Sequence, residues 1–202
     1  MKGLGRVRAI ALAAALLWGP VAFGAGPGGP RQVVEELHAT LLQVMRAARE
    51  LGYEGRLRRL DPVVRRAFDF PAIARLAIGH HRRELSEREL EEWVETFARF
   101  SVALYAARFD GYSGERFEVL SLEDLSRGRA LVRTRLLRPG RDPVHLDYVL
   151  RPAEGGWKIV NVVAEGVSDL SLKRAEYTSI LEKEGFRGLL ERVREKTREL
   201  GS

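Results

Sequence analysis

The hydrophobic repeat of this chain changes its period between Gly111 and Gly114, and that switch marks where helices give way to sheet. Before it, apolar side chains recur every three or four residues, the spacing that gathers them on one face of a helix. After it they alternate with charged residues, as on a strand with a single buried face. A chain built this way is an α+β protein: helices first, then a sheet that needs them to cover it.

The helical half reads in segments. Val33, Val34, Leu37, Leu41, Val44, Met45 and Ala48 form the stripe of a first helix, with Pro30 suited to its first turn and Gly52 and Gly55 at its end. Asp61-Pro62 has the pattern of an N-cap followed by proline at the first helical position, so a second short helix carrying Val63, Val64 and Ala67 is expected there. Asp69-Phe70-Pro71 restarts the chain for Ile73, Leu76 and Ala77, and Gly79 stops it; residues 53–85 thus read as a small helical subdomain. Ser86-Glu87-Arg88-Glu89 is a capping box, hydroxyl at the N-cap and carboxylate three residues on. It opens the longest helix, residues 87–109, with Leu90, Trp93, Val94, Phe97, Leu104 and Tyr105 on one stripe and Phe100 and Ser101 beside it.

Four strands follow. Phe117 and Val119 mark the first; Ala130, Val132, Thr134 and Leu136 the second; Val144, Leu146, Tyr148 and Leu150 the third; Trp157 to Val163 the fourth. Arg127-Gly128, Pro139-Gly140 and Gly155-Gly156 supply the turns. The last strand is apolar on both faces, which predicts a central strand or one covered twice. Two helices close the chain, residues 172–184 and 186–200, broken at Gly185. The expected fold is a curved antiparallel four-stranded sheet wrapped on the long helix, with additional N- and C-terminal helices.

The N-terminus has a separate logic. Lys2, Arg6 and Arg8 precede an apolar run from Ala9 to Val21 and then small residues around Phe23, the pattern of a cleaved secretory signal over residues 1–24, with the cut near Gly24–Gly26. The run is shorter than the roughly 20 apolar residues a membrane span needs. Removing it lowers Lys plus Arg from 34 to 31 against 28 acids, so the formal charge falls from +6 to +3. A charge that small argues against a nucleic-acid binder. There is no cysteine, so residues 25–202 must fold as one domain on their apolar core, without disulfides, thiol catalysis or thiolate metal sites.

The chemistry-bearing residues are sparse. His80 and His81 are adjacent, so on any regular element they point apart and make a poor chelate; no metal or cofactor is expected. Gly166-Val167-Ser168 lacks the second glycine of a nucleophile elbow, and Ser168 reads as a helix cap. Asp147 and His145 share the outward phase of their strand, as do Arg133 and Arg135, which could dock an acidic partner. More suggestive is the apolar surplus: Trp93, Phe97, Phe100, Leu104 and Tyr105 on the long helix face Val132, Leu146, Tyr148, Ile159 and Val163 on the sheet. Between them lies either a filled core or a pocket for an apolar ligand, and spacing alone leaves both open.

An ordered set of motifs adds a family resemblance. Phe68-Asp69-Phe70, Ile73-Ala74-Arg75 and Gly79 come first, then Tyr105 and Tyr112-Ser113-Gly114-Glu115. Gly156-Trp157-Lys158-Ile159-Val160-Asn161-Val162, Glu165-Gly166-Val167-Ser168, Arg174, Ile180-Leu181 and Gly185 follow. Over residues 33–195 this resembles the MlaC family of periplasmic lipid carriers, also called toluene-tolerance auxiliary proteins. The resemblance implies an NTF2-like fold, a place in the Gram-negative periplasm, and a pocket that holds a phospholipid's acyl chains; nothing in the sequence requires more than a monomer. It also implies partners: an inner-membrane ABC transporter bearing MCE-domain rings and an outer-membrane lipoprotein complex. No enzymatic step is implied. Asn161 stands where the family usually has aspartate, and Ser168-Asp169-Leu170-Ser171-Leu172-Lys173-Arg174 looks more like the hopanoid-associated HpnM subgroup, so the cargo is a phospholipid or a hopanoid. Arg174, at the family's arginine position, is expected at the pocket mouth or in an ion pair. The rival readings are an enzyme on a conical sheet and a ligand-free adaptor of a membrane complex.

Overall fold

The computed structural model describes residues 28–201; the signal-like segment and its cleavage region lie outside the described residues. The helices are α1 (Pro30–Arg46), α2 (Ala48–Ala67), α3 (Phe70–Ala77), α4 (Glu87–Arg108) and α5 (Asp169–Glu199), with a 3₁₀ turn at Gly79–Arg83. The strands are β1 (Arg116–Leu125), β2 (Arg129–Arg138), β3 (Arg141–Ala153), β4 (Gly156–Ala164) and β5 (Val167–Ser168). They form one antiparallel sheet in the order β1-β2-β3-β4-β5. No helix among the described residues is long and apolar enough to cross a membrane.

Local chemistry explains most boundaries. Ser86 Oγ accepts from the Glu89 amide and the Glu89 carboxylate accepts from the Ser86 amide, closing the capping box that starts α4. Ser168 Oγ accepts from the Ser171 amide and starts α5. Gly185 sits at φ 69° within α5, a left-handed conformation that costs glycine nothing, and it divides the helix where expected.

Three expectations are corrected. The sheet has five strands, not four: after the Glu165-Gly166 turn, Val167 and Ser168 pair with Ala164 and Val163, a stretch too short to leave a periodic signal. The helix expected to begin at Asp61-Pro62 is already under way; the break lies earlier, at Gly52, and Pro62 sits inside α2. Asp61 accepts from the Arg65 guanidinium at 2.8 Å instead of capping the backbone, and burial of Leu60 and Val64 outweighs the helix bond that proline removes. Strand β4 lies inside the sheet, between β3 and the short β5. Its outer edge is covered piecewise, by β5 at one end and by the α2–α3 junction at the other, where the Asp69 amide donates to the Ile159 carbonyl at 2.9 Å.

The third concerns which helix the sheet embraces. Helix α1 lies across β1 to β4, while α4 packs mainly among α2, α3 and α5. Buried alanines at 98, 103 and 106 let those helices approach α4 closely. Its indole anchor, Trp93, donates to the Ala74 carbonyl of α3 at 2.8 Å. The apolar core runs without interruption from α1 and α2 through α3 and α4 to β2, β3, β4 and α5.

Asp69 joins these layers. It caps α3 by accepting from the Ala72 amide at 3.1 Å, and its other oxygen takes Arg151 Nε at 2.7 Å and Nη2 at 2.5 Å from β3. The helical layer is thereby tied to the sheet along one side of the space described next.

Candidate functional site

Where α4 stands off from the sheet, a cavity of about 150 Å³ remains. One face of α4 supplies Phe97, Ser101, Leu104, Tyr105 and Arg108, a helical progression of four, three, one and three residues. Phe68, Phe70 and Ile73 close it from the α2–α3 junction, Leu146 and Tyr148 from β3, and Val160, Asn161, Val162 and Ala164 from β4. Phe109, Asp169, Leu170 and Lys173 complete the wall.

The wall is an aromatic belt. Phe68 stacks with Phe70 at 5.7 Å between centroids and meets Tyr105 edge-on at 5.8 Å; Tyr105 stacks with Phe109 at 5.7 Å. Such contacts hold the rings in place around the empty volume rather than letting them fall into it.

Polar atoms in the wall are mostly committed elsewhere. Ser101 Oγ donates to the Phe97 carbonyl at 2.8 Å. Tyr148 shares a 3.0 Å hydrogen bond with His38 of α1, whose ring stacks on Phe117 at 4.0 Å. Burial lowers the His38 pKa to about 3, so the imidazole stays neutral. Burial likewise pushes the Tyr148 hydroxyl well up, and burial with the Asp169 carboxylate raises that of Tyr105, against the opposing Arg108. Asn161 Oδ1 accepts from the Leu170 amide and from Ser168 Oγ, each at 3.2 Å. That oxygen does the acceptor's work a carboxylate at this place would do. At the rim, Lys173 Nζ reaches Asp169 at 2.8 Å and lies 5.9 Å above the Phe100 ring.

Of the ten residues expected to form a pocket, Phe97, Leu104, Tyr105, Leu146 and Tyr148 line the cavity. Trp93, Val132 and Ile159 are buried in the core beneath it, and Phe100 lies under Lys173. Val163 faces the other way. A β-bulge places Val160 between the pairs Leu150↔Ile159 and Val149↔Asn161, which shifts the phase of β4 by one residue. Strict alternation from Ile159 selects Val163; past the bulge, Val162 pairs with Tyr148 and faces the cavity, while Val163 pairs with the outward Asp147. The junction aromatics Phe68 and Phe70 carried a sequence signal only as motif residues, and nothing in periodicity assigns them to this space.

The remaining expectations find other environments. Asp147 accepts from Arg133 at 3.0 Å on the sheet's outer face, Arg133 also reaches Glu123, and Arg135 reaches Glu118, so both arginines are already paired. His145 is exposed on that face. His80 and His81 do not diverge: the 3₁₀ turn brings their rings, tilted by 33°, to 4.1 Å between centroids, and their donor atoms and the Glu84 carboxylate lie within 4.8 Å of one another. Arg174 does not line the cavity and makes no ion pair among the described residues; its Nη2 comes 3.3 Å from where a Cβ on Gly79 would stand.

The family model described as "MlaC protein" matches residues 35–195. The intermembrane phospholipid transport system binding protein MlaC of Haemophilus influenzae is 24% identical over 122 residues, 58% of this chain and 57% of that protein, so the match spans less than two thirds of the relative. A phospholipid-binding protein from Ralstonia solanacearum, solved in complex with a phospholipid, superposes with a TM-score of 0.76 at 16% identity. That match covers 87% of this chain and all of the other, and it establishes a shared fold.

Proposed function

The chain belongs to the MlaC family, and from that premise we propose that it is a periplasmic carrier of phospholipid rather than an enzyme. It would take a lipid from one membrane, cover its acyl chains, and deliver it to the other as the soluble part of an ABC-type transport system. Its docking partners in this reading are an inner-membrane MCE-domain transporter and an outer-membrane lipoprotein complex.

The observation that carries the reading is the aromatic and aliphatic cavity between α4 and β3–β4, with charge only at its rim. Each methylene left in water costs about 0.8 kcal/mol, so a lipid crosses an aqueous space only when its tails are covered. Small-ligand pockets run to roughly 300–1,000 Å³. A volume of about 150 Å³ lies below that range, so the walls would have to part to admit acyl chains. The haemophilus relative's name and the lipid bound to the ralstonia protein support the same cargo class.

Native mass spectrometry of protein purified without added lipid tests this. The expected spectrum shows a phospholipid mass released on activation. A hopanoid mass would keep the carrier and change its cargo; protein that stays empty after incubation with phospholipid vesicles would remove the reading.

A further inference from the structure

The rim of the cavity is not electrically neutral. Arg108, Lys173 and Asp169 all line it, two cations against one anion. The anion is taken: Asp169 pairs with Lys173 at 2.8 Å, and Lys173 is only 9% exposed. Arg108 is exposed at the last turn of α4 and makes no hydrogen bond and no ion pair among the described residues. The backbone donors at the start of α5 do not compete for an anion, because the Leu170 amide is held by Asn161 and the Ser171 amide by Ser168. What the rim leaves unmatched is one guanidinium, beside an otherwise apolar wall.

We propose that Arg108, with Lys173 behind it, binds the phosphate of the carried lipid, so that the cavity selects a phosphodiester-bearing lipid over an uncharged lipid with the same tails. The inference rests on the carrier reading and adds a selectivity to it. A guanidinium offers paired N–H donors in a plane that matches two phosphate oxygens, and the ammonium of Lys173 adds charge without fixed direction. Arg108 follows Tyr105 by three residues, just under one helical turn, so the polar end of a lipid held there leaves its tails against Tyr105 and Leu104.

The test equilibrates lipid-free protein with uncharged detergent micelles holding equal amounts of phosphatidylglycerol and diacylglycerol of identical chains, and reads the bound ratio by native mass spectrometry. The wild type should favour phosphatidylglycerol by about tenfold, the scale of one charge-assisted pair. Arg108→Gln should bring the ratio close to one while still loading diacylglycerol, and Arg108→Lys should keep part of the preference. An unbiased wild type, or an Arg108→Gln variant with the full bias, overturns the proposal. Loss of both lipids from the wild type sinks the carrier reading itself and this inference with it. Inorganic phosphate titrated into lipid-free protein should give no saturable heat; a saturable isotherm would assign the site to a free anion and overturn its assignment to a lipid.

Discussion

Replacing Asp69 by alanine removes two attachments at once, and the structure sets their scale. One is the cap on the Ala72 amide, worth about 1 kcal/mol. The other is the pair of bonds from Arg151 to a carboxylate that is 6% exposed. Charged hydrogen bonds contribute about 1.5–3 kcal/mol, and the two bonds are counted once rather than twice because the Arg151 side chain is 48% exposed and returns to water when its partner goes. Asp69→Ala is therefore expected to cost about 2.5–4 kcal/mol in all. In a protein of this size that lowers the melting temperature by about 5–16 °C. Asp69→Asn keeps an oxygen for the cap and should cost less. Arg151→Ala strands a buried carboxylate and should cost at least as much as the ion pair alone. Guanidinium melts of these variants and of the double mutant give a coupling energy of about 1–3 kcal/mol if the side chains act through each other. A loss within about 0.5 kcal/mol for Asp69→Ala, the range of an ordinary surface change, would refute the idea that this residue ties helices to sheet.

Three further outcomes are expected. The His38 pKa is about 3 when folded and near 6.5 when unfolded, so below pH 6.5 the unfolded chain binds the extra proton and stability falls by up to about 1.4 kcal/mol per pH unit. Above pH 6.5 that contribution is fully present; His38→Gln should flatten the acid limb of denaturant melts between pH 6.5 and 4, and an unchanged limb would assign the acid sensitivity elsewhere. Ala164 lies exposed on the cavity wall, so Ala164→Trp should lower lipid loading in native mass spectra with little change in melting temperature; full loading would show that the lipid does not pass this rim. Gly79 has φ 58° and faces the Arg174 guanidinium, so Gly79→Ala should cost about 1–2 kcal/mol by thermal melt and Gly79→Asn less; equal stability would mean the turn relaxes.

How much of this was legible in the sequence depends on whether one residue or a pairing decides. Helix α4 announces itself through Ser86 and Glu89, because both capping partners are local. The switch of period after Gly111 announces the sheet, and Gly185 the break in α5. The site was legible on α4 and β3, where the period holds unbroken from Phe97 to Tyr105 and from Leu146 to Tyr148. It was not legible on β4, since the bulge at Val160 exists only as a mismatch of pairing with β3, and no residue there is a glycine or proline to mark it. The environments of Pro62 and Arg174 were hidden for the same reason. One is tolerated by the burial of Leu60 and Val64, the other set by a glycine far away in the chain, and neither leaves a trace at the position itself.

The central claim is that this chain moves phospholipid through water. Donor and acceptor vesicles held on opposite sides of a membrane that passes protein but not vesicles measure it directly, with labelled phosphatidylglycerol in the donors. Label should reach the acceptors at a rate that rises in proportion to protein concentration and falls in Ala164→Trp. Label that crosses no faster with protein than without it would contradict the account.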